Sequence, residues 1–514
     1  MATPTITKQY TRAEVAQHNT ATSLWIIIDS IVYDLTDFAD AHPGSALVLY
    51  KVAGTDATEQ FFGLHRRDVL SKYSKLAIGA IASEKQQLAP PSNGAFSDVP
   101  YAESLAALQK PSPFHSKEHV EFKKKVRQFV EEHLLPDAEY YASSGKLPDP
   151  EVFRKMGAAG LTACRLGPGP HLKGRTLFAG LAPHEFTYFH EQIVHEEFAR
   201  VGAYGYGEAI GSGMVIGLPP VIQFGPKWMQ EKVLKEVLDG EKMICLAITE
   251  PGAGSDVAGI QCEAVKTPCG KFYIVNGTKK WITNSAFSHY FTTAVRTGKG
   301  YSVLLIERGP GVSTDVIKTS GSTTSGTSYV TFENVKVPVE NLIGKEGQGF
   351  PVIMSNFNHE RWIMVVGGCS TARQIIEECF KWAMQRKVFG KPLIEQPVIR
   401  FKLGQMIAEL EAVQSWADLT TYQMSKMNYA EQTKYLGGQI ALLKYKSTRM
   451  ASLISDNAVQ IFGGRAITRT GMGRLIENYQ RVHKHLAVLG GSEEIMVDLG
   501  VRQAMKAFPR DARL

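Results

Sequence analysis

Between Lys242 and Lys345 the hydrophobic pattern of this chain alternates as strands do, and on either side of that block it repeats with a helical period. A fold that obeys it must place a β-rich block between two helical ones, an α+β order rather than an alternating βαβ order. Upstream, Val120, Phe122, Val126, Phe129 and Val130 recur at helical spacing across residues 116–135, and helical patterns continue to about Asp239. Within the block, residues 272–275, the pair Asn276-Gly277 and residues 279–283 predict a strand, a turn and a second strand. Residues 301–307, 328–332 and 335–337 add further strands. Downstream, residues 360–386, 399–427, 435–462 and 493–507 predict long helices.

At 514 residues the chain exceeds what one core can bury, so several domains are expected. Residues 1–83 form a first compact unit. A hairpin is predicted over 23–29 and 31–34 with Asp29-Ser30 as its turn, and short helices over 35–40 and 45–51 flank His42. Residues 84–112, with Ala89-Pro90-Pro91-Ser92-Asn93-Gly94, read as a linker. The divisions that follow are 113–241 (helical), 242–345 (β) and 346–514 (helical bundle). A composition of 44% hydrophobic and 21% charged residues is that of a soluble globular protein. The net charge of +7 is dispersed, without the basic stripe that nucleic acid would require. No apolar run approaches the roughly 20 residues of a membrane span, and residues 1–10 lack a signal peptide's regions. Six cysteines without CxxC or metal-ligand spacing predict reduced, mostly buried thiols in an intracellular compartment.

Two histidines in the first unit sit in suggestive contexts, Ala41-His42-Pro43-Gly44-Ser45 and Phe62-Gly63-Leu64-His65. A haem iron held by two neutral imidazoles has both axial positions filled, which favours electron transfer over oxygen chemistry. Phe38, Leu47, Val52, Phe61, Phe62 and Leu64 would line an apolar slot around it. Residues 7–82, from Tyr10-Thr11 through Trp25-Ile26-Ile27-Ile28-Asp29 and Val32-Tyr33-Asp34-Leu35-Thr36-Asp37-Phe38 to the two histidines, resemble the cytochrome b5 family. That resemblance implies haem b with His42 and His65 as axial ligands. Ser45 departs from it, because the family usually has a second glycine there.

Farther along are Ile248-Thr249-Glu250-Pro251-Gly252-Ala253-Gly254-Ser255-Asp256 and Trp281-Ile282-Thr283-Asn284. With them, residues 112–508 resemble the acyl-CoA dehydrogenase family: an α-helical domain, a central β domain and a C-terminal four-helix bundle. The resemblance implies FAD between the β domain and the bundle, an acyl-CoA substrate, and a homodimer or homotetramer. It implies that Thr249 bonds the flavin's pyrimidine edge, that Trp281 covers the ring and that Thr283 reaches its N5 atom. Ser255 falls where the family meets both cofactor and the pantetheine or phosphate part of the ligand. Arg386, with Phe389 in Arg386-Lys387-Val388-Phe389-Gly390, would meet the FAD pyrophosphate of a neighbouring subunit. Gln460, Gly463 and Gly464 would complete the adenine side, and Ser492 and Glu494 fall at the last FAD contacts.

The reaction needs a carboxylate to take the α-proton of an acyl thioester while flavin takes the β-hydride. Many family members carry that glutamate near the C-terminus, where this chain has Leu489-Gly490-Gly491-Ser492. The isovaleryl-CoA and long-chain branches place it early in a bundle helix before an arginine, as in Asn358-His359-Glu360-Arg361-Trp362. Glu360 is therefore expected to be the base, Arg361 a charge partner near the substrate, and the Gly490 N–H a donor to the thioester oxygen. The expected activity is α,β-dehydrogenation of an acyl-CoA to a trans-2-enoyl-CoA, in fatty-acid β-oxidation or secondary metabolism. Electrons would pass from FAD to the haem and onward to an external acceptor. The alternatives are an oxygen-reactive acyl-CoA oxidase and a flavin- and haem-binding electron-transfer protein without turnover. The closing Ala512-Arg513-Leu514 resembles a peroxisomal address, with the cytoplasm as the alternative.

Overall fold

The computed structural model describes residues 8–88, 92–509 and 511–512, which divide into two compact units. The first holds the chain to Ser92 together with 381–400 and 461–477, and the second holds 93–380, 401–460 and the remainder.

In the first unit a five-stranded sheet runs in the order Gln9–Tyr10, Ala77–Ile81, Ile31–Asp34, Ser23–Ile28, Asn19–Thr20, with only the first pair parallel. The hairpin reverses through Asp29 and Ser30, both at positive φ (49° and 64°), the twist that suits a two-residue connection. Alternation along its strands sends Leu24, Ile26, Ile28, Ile31 and Tyr33 to one core and Ile27 and Val32 to another on the opposite face. The helix expected over 35–40 is reduced to the 3-10 turn Ala39–Ala41. Asp34 accounts for this, since its Oδ1 accepts from both Thr36 N (3.0 Å) and Thr36 Oγ1 (2.6 Å), holding the chain in a side-chain turn that competes with helix. The second helix forms as Ala46–Tyr50.

In the second unit Lys117–His133 is capped by Ser116, whose hydroxyl receives the His119 N–H in a reciprocal capping box. The mixed sheet orders its strands Val312–Val316, Ser328–Pro338, Phe272–Ile282, Glu263–Lys266, Tyr290–Thr297, Gly300–Glu307, Leu342–Ile343, with Ile244–Ala247 parallel to Tyr290–Thr297. The predicted strand–turn–strand at Asn276-Gly277 is instead one strand, Phe272–Ile282. Gly277 has φ +143°, and a Cβ there would stand 2.6 Å from Cys262 Cα, so glycine serves close strand approach rather than a turn.

The C-terminal helices are Phe357–Gln385, Pro397–Lys426, Tyr429–Phe462, Arg474–Val488 and Glu493–Lys506. Arg474–Val488 has no counterpart among the expected helices.

The stretch read as a linker is packed over its second half. Ala102, Glu103 and Ala107 are buried, and Glu103 pairs with the buried Arg127, whose Nε also donates to Glu197 Oε2 at 2.8 Å. Small residues, the ion pairs of Glu103 and hydrogen bonds such as Ser97 Oγ to Glu377 Oε1 (2.7 Å) hold it there, so no apolar period announced it. Residues 1–7 and 89–91, and Arg513 and Leu514 of the terminal tripeptide, lie outside the described residues. Among the described residues no helix is long and apolar enough to cross a membrane. Five cysteines are buried, Cys269 is exposed, and none is in a disulfide.

Candidate active site

The strand Ile244–Ala247 delivers Ile248 and Thr249 to a loop that is exposed at Pro251, Gly252, Gly254 and Ser255. A buried ion pair ties this loop to the end of Phe272–Ile282. Lys279 Nζ donates to Glu250 Oε1 (2.7 Å) and to Ile248 O (3.0 Å), while Glu250 also accepts from Gln261 N and Cys262 N. Because both charges are fully partnered, their burial is tolerable, and cutting either would strand the other. Lys280 N then donates to Thr249 O at 2.8 Å, which joins the Thr249 backbone to the segment that carries Trp281 and Thr283.

Trp281 is 48% exposed and Asn284, three residues on, is buried, both at φ 64°. Asn284 uses its whole amide: Nδ2 donates to Ser325 O (2.8 Å) and Glu208 O (3.1 Å), and Oδ1 accepts from Gly213 N (2.7 Å). The turn that carries Thr283 is thereby anchored to the helix Ser212–Gly217. Neither Gly252 nor Gly254 has an atom within 4 Å of where a Cβ would lie. An open glycine loop and an exposed indole, with Thr249 and Thr283 on the two joined segments, fit a flat aromatic cofactor with anionic groups.

Glu360 lies in the first turn of Phe357–Gln385 and is half-buried. Burial pushes its carboxyl up to about 7, opposed by a hydrogen bond from Asn356 Nδ2 to Oε1 (3.0 Å) and by the charges of Arg361 and His359. A carboxyl poised there can accept a proton near neutral pH. His359 Nε2 lies 2.8 Å from Glu191 Oε1 on the helix Tyr188–Ala199. Burial acts to raise Glu191, but His359 and His195 hold it at about 2; burial acts to lower His359, but Glu191 outweighs it and raises it.

Arg361 is buried, and its Nε donates to Gly490 O (3.0 Å). Lys444 Nζ donates to Gly491 O (2.5 Å), so the segment bearing Gly490 is pinned from two helices beside Glu360. Gly490 and Gly491 take φ 65° and 100°, and Ser492 caps Glu493–Lys506 by accepting from Ile495 N. Glu494 is exposed in that first turn. Gln460 is exposed near the end of Tyr429–Phe462.

Arg386, Phe389, Gly463 and Gly464 gather in the first unit, all exposed. Trp382 stacks on Phe462 at 5.3 Å and Arg465 covers Trp382 at 4.8 Å, joining the two segments. Phe389 is 93% exposed at the tip of a hairpin between Lys387–Val388 and Lys391–Pro392.

His42 and His65 face each other with ring centroids 5.9 Å apart. Two imidazoles sharing one metal at about 2 Å per bond would stand roughly 6 Å apart, centroid to centroid. Their Nδ1 atoms are already engaged, by Ser45 O (3.3 Å) and Phe61 O (3.2 Å), which leaves each Nε2 for an iron. Leu47 and Leu64 are 67% and 58% exposed beside them, apolar walls with no protein cover. The pair fits a haem.

Asn356, Glu191, Lys279 with Glu250, and Asn284 were not among the expected site residues. Glu250 and Asn284 stand inside the segments 248–256 and 281–284 without a role of their own, and Asn356 stands four residues before Glu360 and so on the same helix face.

Family models match four stretches of the chain. Residues 11–82 match a cytochrome b5-like heme/steroid binding domain. Residues 116–241, 245–335 and 347–505 match the N-terminal, middle and C-terminal domains of acyl-CoA dehydrogenases. The chain is 40% identical to acyl-CoA dehydrogenase apdG of Emericella nidulans over 81% of its own length and 98% of that protein's. It is 35% identical to acyl-CoA dehydrogenase AFT10-1 of Alternaria alternata, over 80% and 98% of the two chains. An acyl-CoA dehydrogenase from Bacillus anthracis, solved in complex with FAD, superposes with TM-score 0.69 at 27% identity, covering 79% of this chain and 71% of that one.

Proposed function

The chain belongs to the acyl-CoA dehydrogenase family, with a cytochrome b5-like domain ahead of the dehydrogenase body, and from that premise we propose that it oxidises an acyl-CoA thioester to the trans-2-enoyl-CoA with Glu360 as base. The reading rests on Glu360 itself: a half-buried carboxyl raised to about 7 in a bundle helix, in a chain whose alternative base position, Gly490, has no side chain.

Glu360 Oε2 has no protein donor among the described residues, and in this reading it takes the α-proton. Gly490 presents its backbone N–H to the thioester oxygen, and the bond from Arg361 to Gly490 O holds that peptide in orientation. Thr249, Trp281 and Thr283 hold the flavin ring, Ser255 meets cofactor and substrate, and Ser492 and Glu494 close the last contacts. Arg386, Phe389, Gln460, Gly463 and Gly464 serve the FAD of a neighbouring subunit. When bound, FAD supplies the acceptor for the β-hydride, and a haem held by His42 and His65 supplies a one-electron acceptor for what the flavin gains. Ala512-Arg513-Leu514 is read as a peroxisomal address.

Anaerobic mixing with an acyl-CoA panel tests the base. The wild-type flavin should bleach, and Glu360→Gln should slow bleaching by about 10³-fold or more while FAD remains bound. Equal bleaching in the variant would remove Glu360 from the role.

A further inference from the structure

The helix Ser212–Gly217 is followed by Leu218-Pro219-Pro220. In an unbroken helix the carbonyl of Val215 would receive the N–H of residue 219, and proline has none. Leu218 N is already given to Met214 O, so the local backbone offers Val215 O no donor. Asn356 supplies one from outside: its Nδ2 lies 3.3 Å from Val215 O.

The same nitrogen is 3.0 Å from Glu360 Oε1. A carboxamide nitrogen has two protons, and here each has one acceptor. With a carbonyl and a carboxylate as the two neighbours, only the NH2 end of the amide can occupy this place; the flipped amide would set oxygen against oxygen. Asn356 is 4% exposed, and its own carbonyl receives the Glu360 N–H at 3.0 Å, so backbone and side chain both grip the same residue.

We infer that Asn356 is a positioning residue for the base: it holds Glu360 Oε1, leaves Oε2 for the substrate, and is itself held by a carbonyl that Pro219 leaves free. This rests on Glu360 being the base. Other charged groups near Glu360 are His359 and Arg361 on its own helix. Glu191 on Tyr188–Ala199 acts through His359, and Lys444 on Tyr429–Phe462 acts through Arg361. Of these neighbours Asn356 alone makes a hydrogen bond to the carboxyl, and it exerts the largest pull against the effect of burial.

The pH dependence of kcat/KM reports the free enzyme and reads this directly. Losing a hydrogen bond to the charged form makes the carboxylate harder to form, so the rising limb must move to higher pH. Asn356→Leu should move it up by about one unit, consistent with a hydrogen bond to a charged group. At pH 7 kcat should fall about tenfold or more with KM changed less. Pro219→Ala restores a competing N–H for Val215 O without touching Glu360, and should give a smaller upward shift in a fully folded protein. An unmoved limb in both variants, with only thermal stability lowered, would overturn the inference and leave Asn356 a structural residue. The base assignment stands or falls separately, on the bleaching of Glu360→Gln.

Discussion

Ser45 shows how one residue can satisfy size and still strain the backbone. In the cytochrome b5 resemblance its place belongs to glycine, and by volume serine is an easy substitute. In the structure Ser45 takes φ 75° and ψ 147°, a region almost reserved for glycine, while its hydroxyl caps Ala46–Tyr50 at Leu47 N. Exchanging a serine cap for glycine costs only a few tenths of a kcal/mol, whereas the strained backbone costs roughly 1–3. Ser45→Gly should therefore stabilise the haem-binding unit by about 1 kcal/mol, read as a higher temperature of haem loss in the full-length protein. A lower one would mean that the hydroxyl matters more than the backbone. Gly44 next to it is not exchangeable, because a Cβ there would sit 2.8 Å from His42 Cε1.

Among the elements, the long amphipathic helices and the two histidines were legible because each signal is local. Three features were not, for separate reasons. Asn276-Gly277 has the composition of a hairpin turn, yet Cys262 of the neighbouring segment needs the missing Cβ more than the chain needs to reverse. Arg474–Val488 buries Ile476, Tyr479 and Val482 at a spacing of three, a stripe narrow enough to be hidden among its charges. Residues 93–112 are fixed by Glu103 reaching a buried arginine, a contact that no period encodes. The site divides in the same way. Glu360 follows from a motif, but Asn356 acquires its task only once folding brings it to Val215. Gly277→Val tests the first of these, since a β-branched side chain meets both a forbidden φ and a backbone neighbour at 2.6 Å. A loss of about 3 kcal/mol is expected in thermal or denaturant unfolding; a change under about 0.5 kcal/mol would mean that the strand can shift to admit it.

At the scale of the whole molecule, one polypeptide carries residues fitted to a two-electron and to a one-electron acceptor. If the electrons leave through His42 and His65, anaerobic stopped-flow with an acyl-CoA should show reduced-haem bands growing as the flavin bleaches. His65→Ala should abolish the haem bands and spare the bleaching. A haem that stays oxidised throughout would favour direct reoxidation by oxygen instead. The Gly490 segment also bears on ancestry. A side chain at 490 would have to adopt φ 65° and would place its Cβ 2.8 Å from Met364 Sδ, while Arg361 grips the carbonyl of the same residue. Met364 can swing aside, but the left-handed backbone costs about 1 kcal/mol for any residue with a Cβ. A glutamate at 490 would therefore carry that backbone cost together with the displacement of Met364, a burden that a carboxylate on the helix at 360 does not bear. If Glu360 is the base, a descendant that lost it would keep the residues fitted to a flavin without the carboxyl that takes the proton, one route by which an enzyme of this kind would become a carrier.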